Sequence, residues 1–218
     1  MYTERHNKIG RVFLREIARG RKGGYLVQMD IGSADKLAAD GIEAQPREIP
    51  LTALPVGMPM AVKKALSKQV RPDALLYRAP IPKTTNAGSR GEPATYWIAE
   101  VKCCRDSDHA PQLEKARNQM DKLSQAIKAA DPQAQVHKLP LLVGVAGAQF
   151  CVTETSLEIL GVTGTTLDTV LRKAHFTAIH ALHQIYQTKR NQSNRQSTQT
   201  AKTSRKWVRR YKWKHSKS

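Results

Sequence analysis

Cysteine is scarce in this chain, acidic residues are few beside basic ones, and no long hydrophobic run occurs anywhere in it. The 3 cysteines, Cys103, Cys104 and Cys151, are an odd set without a CxxC pair, which argues against a disulfide-stapled scaffold and gives no zinc-finger spacing. Adjacent Cys103 and Cys104 read as small apolar residues at a strand end. No apolar stretch approaches the roughly 18 to 20 residues that span a bilayer, and the opening Met1-Tyr2-Thr3-Glu4-Arg5 has no apolar signal region. An intracellular protein with no membrane partner is expected, nuclear if its source is eukaryotic. Against 18 Asp and Glu stand 36 Lys and Arg, a formal charge of +18, and such an excess points to a polyanionic partner, nucleic acid foremost. Of these, 11 basic residues and no acidic one fall in Thr188–Ser218, which leaves +7 on the rest.

The 218 residues suit one α/β domain with a sizeable core plus extensions. Ile9, Val12, Phe13 and Ile17 recur at helical spacing, with Asn7 as a candidate N-cap and the glycine-rich Arg19–Gly24 as the stop. Tyr25–Ile31 reads as a strand, Ser33–Asp40 as a short helix, and Gly41–Met60, punctuated by Pro46, Pro50, Pro55 and Pro59, as irregular connection. Asp73–Arg78 and Thr95–Cys104 are strand candidates joined through Ala79–Pro93, a segment suited to a long hairpin loop. Pro111 opens a helix whose Leu113, Ala116, Met120, Leu123 and Ile127 share one face. Val136–Ala146 is a further strand, with Pro140 suggesting a sheet edge or bulge. Thr153–Leu160 and Thr166–Gln187 are predicted helices. Residues 1–187 form the expected domain, and 188–218, rich in Gln, Ser, Thr, Asn, Lys and Arg, a disordered basic tail.

Two apolar runs carry unexpected charges: Asp73 in Arg71-Pro72-Asp73-Ala74-Leu75-Leu76, and Glu100 and Lys102 in Trp97-Ile98-Ala99-Glu100-Val101-Lys102. A charge in a buried strand costs several kcal/mol, about 3–5 when left unpaired. Glu100 and Lys102 are two positions apart and share a strand face, while Val101 points the other way. Asp73 can meet them if the two strands pair. Two carboxylates, with the Val101 carbonyl as a further ligand, make a hard oxygen site for Mg²⁺ or Mn²⁺. Such a metal serves phosphodiester hydrolysis, with Lys102 orienting or deprotonating the water.

Pro72-Asp73 followed by Glu100-Val101-Lys102 resembles the signature of the PD-(D/E)xK, or restriction-like, nuclease superfamily. The resemblance covers about Asn7 to Ala146 and implies a core of helix, three strands, helix and strand, here with additional carboxyl-terminal helices. Arg5-His6-Asn7, with Arg71-Pro72-Asp73, is further similar to the endonuclease domains of non-LTR retrotransposon polyproteins. The resemblance implies a metal-dependent DNA endonuclease that leaves a 3′-hydroxyl and a 5′-phosphate, nicking target DNA for a retroelement. Asp73 and Glu100 would be metal ligands and Lys102 catalytic. An acid on the first helix, Glu16, or a polar residue on the helix after Lys102, Gln112 or Gln119, would complete the site. The 27 positions between the acids exceed the spacing of many members, and the chain has no room for a reverse transcriptase.

Lys115, Arg117 and Lys122 fall beside the proposed site and suit a phosphate track. His6 is a candidate contact to phosphate or to the site itself. In the tail, Arg205, Lys206, Trp207, Arg209, Arg210, Tyr211 and Trp213 interleave rings with cations, a pattern that stacks on bases while holding phosphates, and equally a localisation address. His180 and His183 share a helix face, without the further ligands a zinc site needs. Two alternatives stay open: a non-catalytic nucleic-acid binder with a nuclease-like fold, and a nuclease acting on RNA.

Overall fold

The computed structural model describes residues 2–19, 25–28, 51–68, 72–82 and 91–215. In chain order these form α1 (Tyr2–Arg19), β1 (Tyr25–Gln28), a 3-10 turn (Leu51–Ala53), α2 (Met60–Lys68), β2 (Ala74–Arg78), β3 (Thr95–Cys104), α3 (Ala110–Ala130), β4 (Gln135–Gly144), α4 (Cys151–Ile159) and α5 (Gly164–His215). The protein is mixed α/β, and no described helix is long and apolar enough to cross a membrane. Two compact units, Met1–Ile179 and His180–Ser218, divide the chain, eight residues before the boundary expected at 187.

The sheet runs β1-β2-β3-β4. The first three strands are antiparallel, and β4 lies parallel to β3. A parallel neighbour requires a crossover, which α3 supplies between β3 and β4. In the β2–β3 hairpin Ala74 faces Ala99 and Arg78 faces Thr95. Ile81 and Glu92 continue the pairing with hydrogen bonds of 2.9 and 3.0 Å, so Ala79–Pro93 is indeed the hairpin connection.

Alternation along the strands splits the buried residues into two cores. On one face Ala74, Leu76, Ala99, Val101, Leu139 and Leu141 pack with Ile9, Phe13 and Ile17 of α1 and with Val170, Ala174 and Ala178 of α5. On the other, Leu75, Tyr77, Tyr96 and Ile98 meet Val62 and Leu66 of α2 and Ala116, Met120, Leu123 and Ile127 of α3. Strand β3 is covered on both faces, which is why Thr95–Cys104 reads as a nearly unbroken apolar run. Strand β4 is an edge, as Pro140 suggested. Its open side is closed by α4: the Thr153 hydroxyl donates to the Leu142 carbonyl and accepts from the Leu142 N–H, both at 2.8 Å, and Ser156 donates to the Pro140 carbonyl at 3.0 Å.

Several expectations change. Helix α1 begins at Tyr2, so Asn7 is inside it and caps nothing; residues 3–8 contain no glycine or proline to break it. Helix α2 was not anticipated: the irregular connection read over Gly41–Met60 ends where the helix begins, and Pro59 sits just ahead of its first turn. Asp73 precedes β2 rather than opening it. The expected disordered tail is helical as far as His215; residues 165–215 hold no glycine or proline and many Gln, Lys, Arg and Ala, all tolerant of helix. The predicted helix at Ser33–Asp40 and the end of the first strand, Met29–Ile31, lie outside the described residues.

Candidate active site

Three elements converge where β2 begins and β3 nears its end. Because Ala74 pairs with Ala99 in an antiparallel hairpin, the next position back, Asp73, lies across from Glu100. Hairpin register thus removes the 27-residue separation in sequence. Both are buried, Asp73 at 6% and Glu100 at 5% exposure, so neither carboxylate is a solvated surface charge. The Asp73 carboxylate Oδ2 accepts the Val101 N–H at 2.7 Å. The Asp73 N–H faces Glu100 Oε2 at 3.4 Å. Lys102 Nζ donates to Glu100 Oε1 at 2.5 Å, as two residues on one strand face should.

The fourth group comes from the opposite face of the sheet. His6, on the second turn of α1, directs Nε2 at the Val101 carbonyl, 2.9 Å away, and at Asp73 Oδ2, 3.3 Å away. Its Nδ1 faces Asn7 Oδ1 at 3.3 Å. Acceptors at both ring nitrogens favour the imidazolium, and the Asp73 carboxylate holds the His6 pKa up, at about 9, against the opposing effect of burial. Burial, reinforced by the Asp73 charge, pushes Glu100 up to about 7 although Lys102 pulls the other way.

The His6 ring therefore already faces both Asp73 Oδ2 and the Val101 carbonyl, the two oxygens that a metal ion would share. Those oxygens are hard donors, with the Glu100 carboxylate adjacent. The set suits Mg²⁺, which commonly takes one or two carboxylates and fills its remaining positions with water and substrate oxygens. Among the described residues no group of three His, Cys, Asp or Glu side chains forms a ready-made metal cage.

Lys102 also opens onto a cleft of about 450 Å³ whose remaining lining is one face of α3: Gln112, Lys115, Asn118, Gln119 and Lys122. The cleft lining contains three cationic side chains and no acidic one. Lys115 and Lys122 are thus brought to the site, as the sequence suggested, and Gln119 shares the cleft with Lys102.

Other candidates are not brought there. Glu16 is buried in ion pairs with Arg19 at 2.7 Å and Lys173 at 4.0 Å, ten residues and some 15 Å along α1 from His6. Cys103 and Cys104 are buried with the core. Arg205, Lys206, Trp207, Arg209, Arg210, Tyr211 and Trp213 stand on α5 in the second unit, their side chains outside the described set. His6, by contrast, is brought to the site: its ring is turned to Asp73 and the Val101 carbonyl.

No protein-family model, no curated protein and no solved structure matches the chain.

Proposed function

We propose that the protein is a Mg²⁺-dependent endonuclease that hydrolyses phosphodiester bonds, with DNA as substrate and the restriction-like nuclease core as its scaffold. The observation that carries this reading is the convergence of Asp73, Glu100 and the Val101 carbonyl beside Lys102, at the mouth of a basic cleft. The order of α1, the three antiparallel strands β1–β3 with α2 inserted after β1, α3 and parallel β4 supports the same reading. Asp73, Glu100 and the Val101 carbonyl would hold Mg²⁺, which when bound supplies Lewis-acid activation of the phosphate and of a water. Lys102, already donating to Glu100, is placed to hold that water and to share its proton. Lys115 and Lys122 bind backbone phosphates along α3, and Gln112, Asn118 and Gln119 offer neutral donors between them. Such contacts position a strand without reading its bases. A nucleic-acid substrate also implies an intracellular setting, nuclear in a eukaryote, and the retroelement role would follow from nicks that leave 3′-hydroxyl ends.

A second reading rests on the local charge balance. Asp73 and Glu100 are already matched by His6 and Lys102, as suits a basic protein that binds nucleic acid without cutting it. Incubation with supercoiled DNA, single-stranded DNA and RNA, with and without Mg²⁺, separates the two. Metal-dependent nicking that disappears in Asp73→Ala and Lys102→Ala supports the enzyme; a double variant that cuts as fast as the parent removes it.

A further inference from the structure

His6 stands in a position that the chemistry proposed for this site needs for something else. Its Nε2 lies 2.9 Å from the Val101 carbonyl oxygen and 3.3 Å from Asp73 Oδ2. These are the backbone and carboxylate oxygens expected to hold the metal. One nitrogen between two oxygens at these distances leaves no room for a cation bonded to both at the 2.0–2.1 Å that Mg²⁺ demands. The ring cannot simply join the coordination shell from where it is, because the space it would bind across is the space it fills.

We propose that His6 is an internal placeholder: it bridges Asp73 and the Val101 carbonyl in the metal-free protein and is displaced from them when Mg²⁺ binds. The inference rests on the metal-dependent reading above and deepens it by assigning the site two occupants that exclude one another. The placeholder gives the Asp73 carboxylate and the Val101 carbonyl a common partner, while Lys102 serves Glu100, so the buried oxygens are satisfied before metal arrives. Its location on α1 makes the exchange possible. The side chain is 20% exposed, while the helix stays anchored by Ile9, Phe13 and Ile17 in the core. A rotamer change of one side chain then suffices, and no strand has to move. The cost is affinity: metal binds only the fraction of molecules whose histidine is out, and apparent affinity falls by that fraction.

A hydrogen bond to a charged group is worth enough to hold His6 in about nine of ten molecules or more, so its removal should tighten Mg²⁺ binding about ten- to a hundredfold. Calorimetric titration of the full chain with MgCl₂ at one fixed pH compares the parent with His6→Ala, His6→Gln and Asp73→Ala. The expected order is His6→Ala tightest, His6→Gln intermediate through its neutral donor, parent weaker, and Asp73→Ala weakest. Ring-nitrogen NMR of His6 in the parent gives a direct second readout, in which the signal moves with saturable Mg²⁺ dependence and stays still in Asp73→Ala. It also carries the test if His6→Ala does not fold.

Weaker binding in His6→Ala would make His6 a ligand, and equal binding would make it a bystander; either overturns the placeholder. Mg²⁺ binding that survives Asp73→Ala unchanged places the metal elsewhere and overturns the assignment of the site. If neither the parent nor His6→Ala binds Mg²⁺, the metal-dependent reading itself fails, and the placeholder with it.

Discussion

Asp73→Asn isolates one charge. Both groups that lean on Asp73 use the same oxygen, Oδ2: the Val101 N–H at 2.7 Å and His6 Nε2 at 3.3 Å. An asparagine with its amide oxygen in that place keeps both acceptor contacts and removes only the negative charge. The rise of the His6 pKa from 6.5 to about 9 corresponds to a ceiling of about 3 kcal/mol, and solvent screening at a partly exposed ring reduces this to about 2 kcal/mol. The sign follows from a folded-state value above the unfolded one. The contribution is fully present below pH 6.5 and is lost as pH rises through about 9. Glu100 acts in the same direction: its raised value, due to burial and then to Asp73, costs the parent stability as pH climbs from 4.5 through about 7, and Asp73→Asn relieves the part due to Asp73. The variant should therefore be less stable than the parent by up to about 2 kcal/mol near pH 5, where the Glu100 relief has barely begun, by less near pH 7, and should match or exceed it above the His6 pKa. Urea unfolding read by tryptophan fluorescence at a series of pH values measures the difference. A destabilisation that is the same at both ends of the series would mean that His6 and Asp73 do not form the pair described.

Three further outcomes test other parts of the molecule. Lys102→Ala should lower Mg²⁺-dependent nicking of supercoiled DNA by about 10² or more, in the range of a lost proton-transfer group, while gel-shift affinity at low salt stays near that of the parent. Replacing Lys115 and Lys122 together by alanine should reduce the slope of log affinity against log salt by about 2 for duplex DNA; an unchanged slope would show that the cleft along α3 does not track phosphates. Thr153→Val leaves the N–H and C=O of Leu142 without the hydroxyl that serves both at 2.8 Å, and chemical denaturation should register a loss of about 1–3 kcal/mol.

The architecture was legible wherever a segment's pattern depends on one kind of contact. Thr95–Cys104 is buried by layers on both sides, so its apolar run ends where the strand ends. Helix α3 shows Ala116, Met120, Leu123 and Ile127 to the core and charged or polar residues elsewhere, and its periodicity is visible without a structure. Helix α2 was hidden because only nine residues carry it, too few for a periodicity to stand out after a proline-punctuated connection. Helix α5 beyond the core was hidden for the opposite reason. Its composition has no apolar rhythm, and helix there reflects backbone propensity and the lack of breakers rather than a buried face.

The site divides in the same way. Glu100 and Lys102 share a face by the geometry of one strand, so local sequence is enough to pair them. Asp73 needs one further condition, the hairpin, which the turn-rich Ala79–Pro93 segment already suggested. His6 needs a helix from a distant part of the chain to cross the sheet and deliver a ring to the Val101 carbonyl, 95 residues away in sequence. Nothing in Arg5-His6-Asn7 itself specifies that docking; it is set by Ile9, Phe13 and Ile17 fitting the far face of the sheet. The carboxylates were legible because buried charges are conspicuous in apolar strands. The partner of Asp73 was legible only as a histidine that could meet phosphate or the site, because a histidine near a helix start is ordinary until the fold places Asp73 beside it.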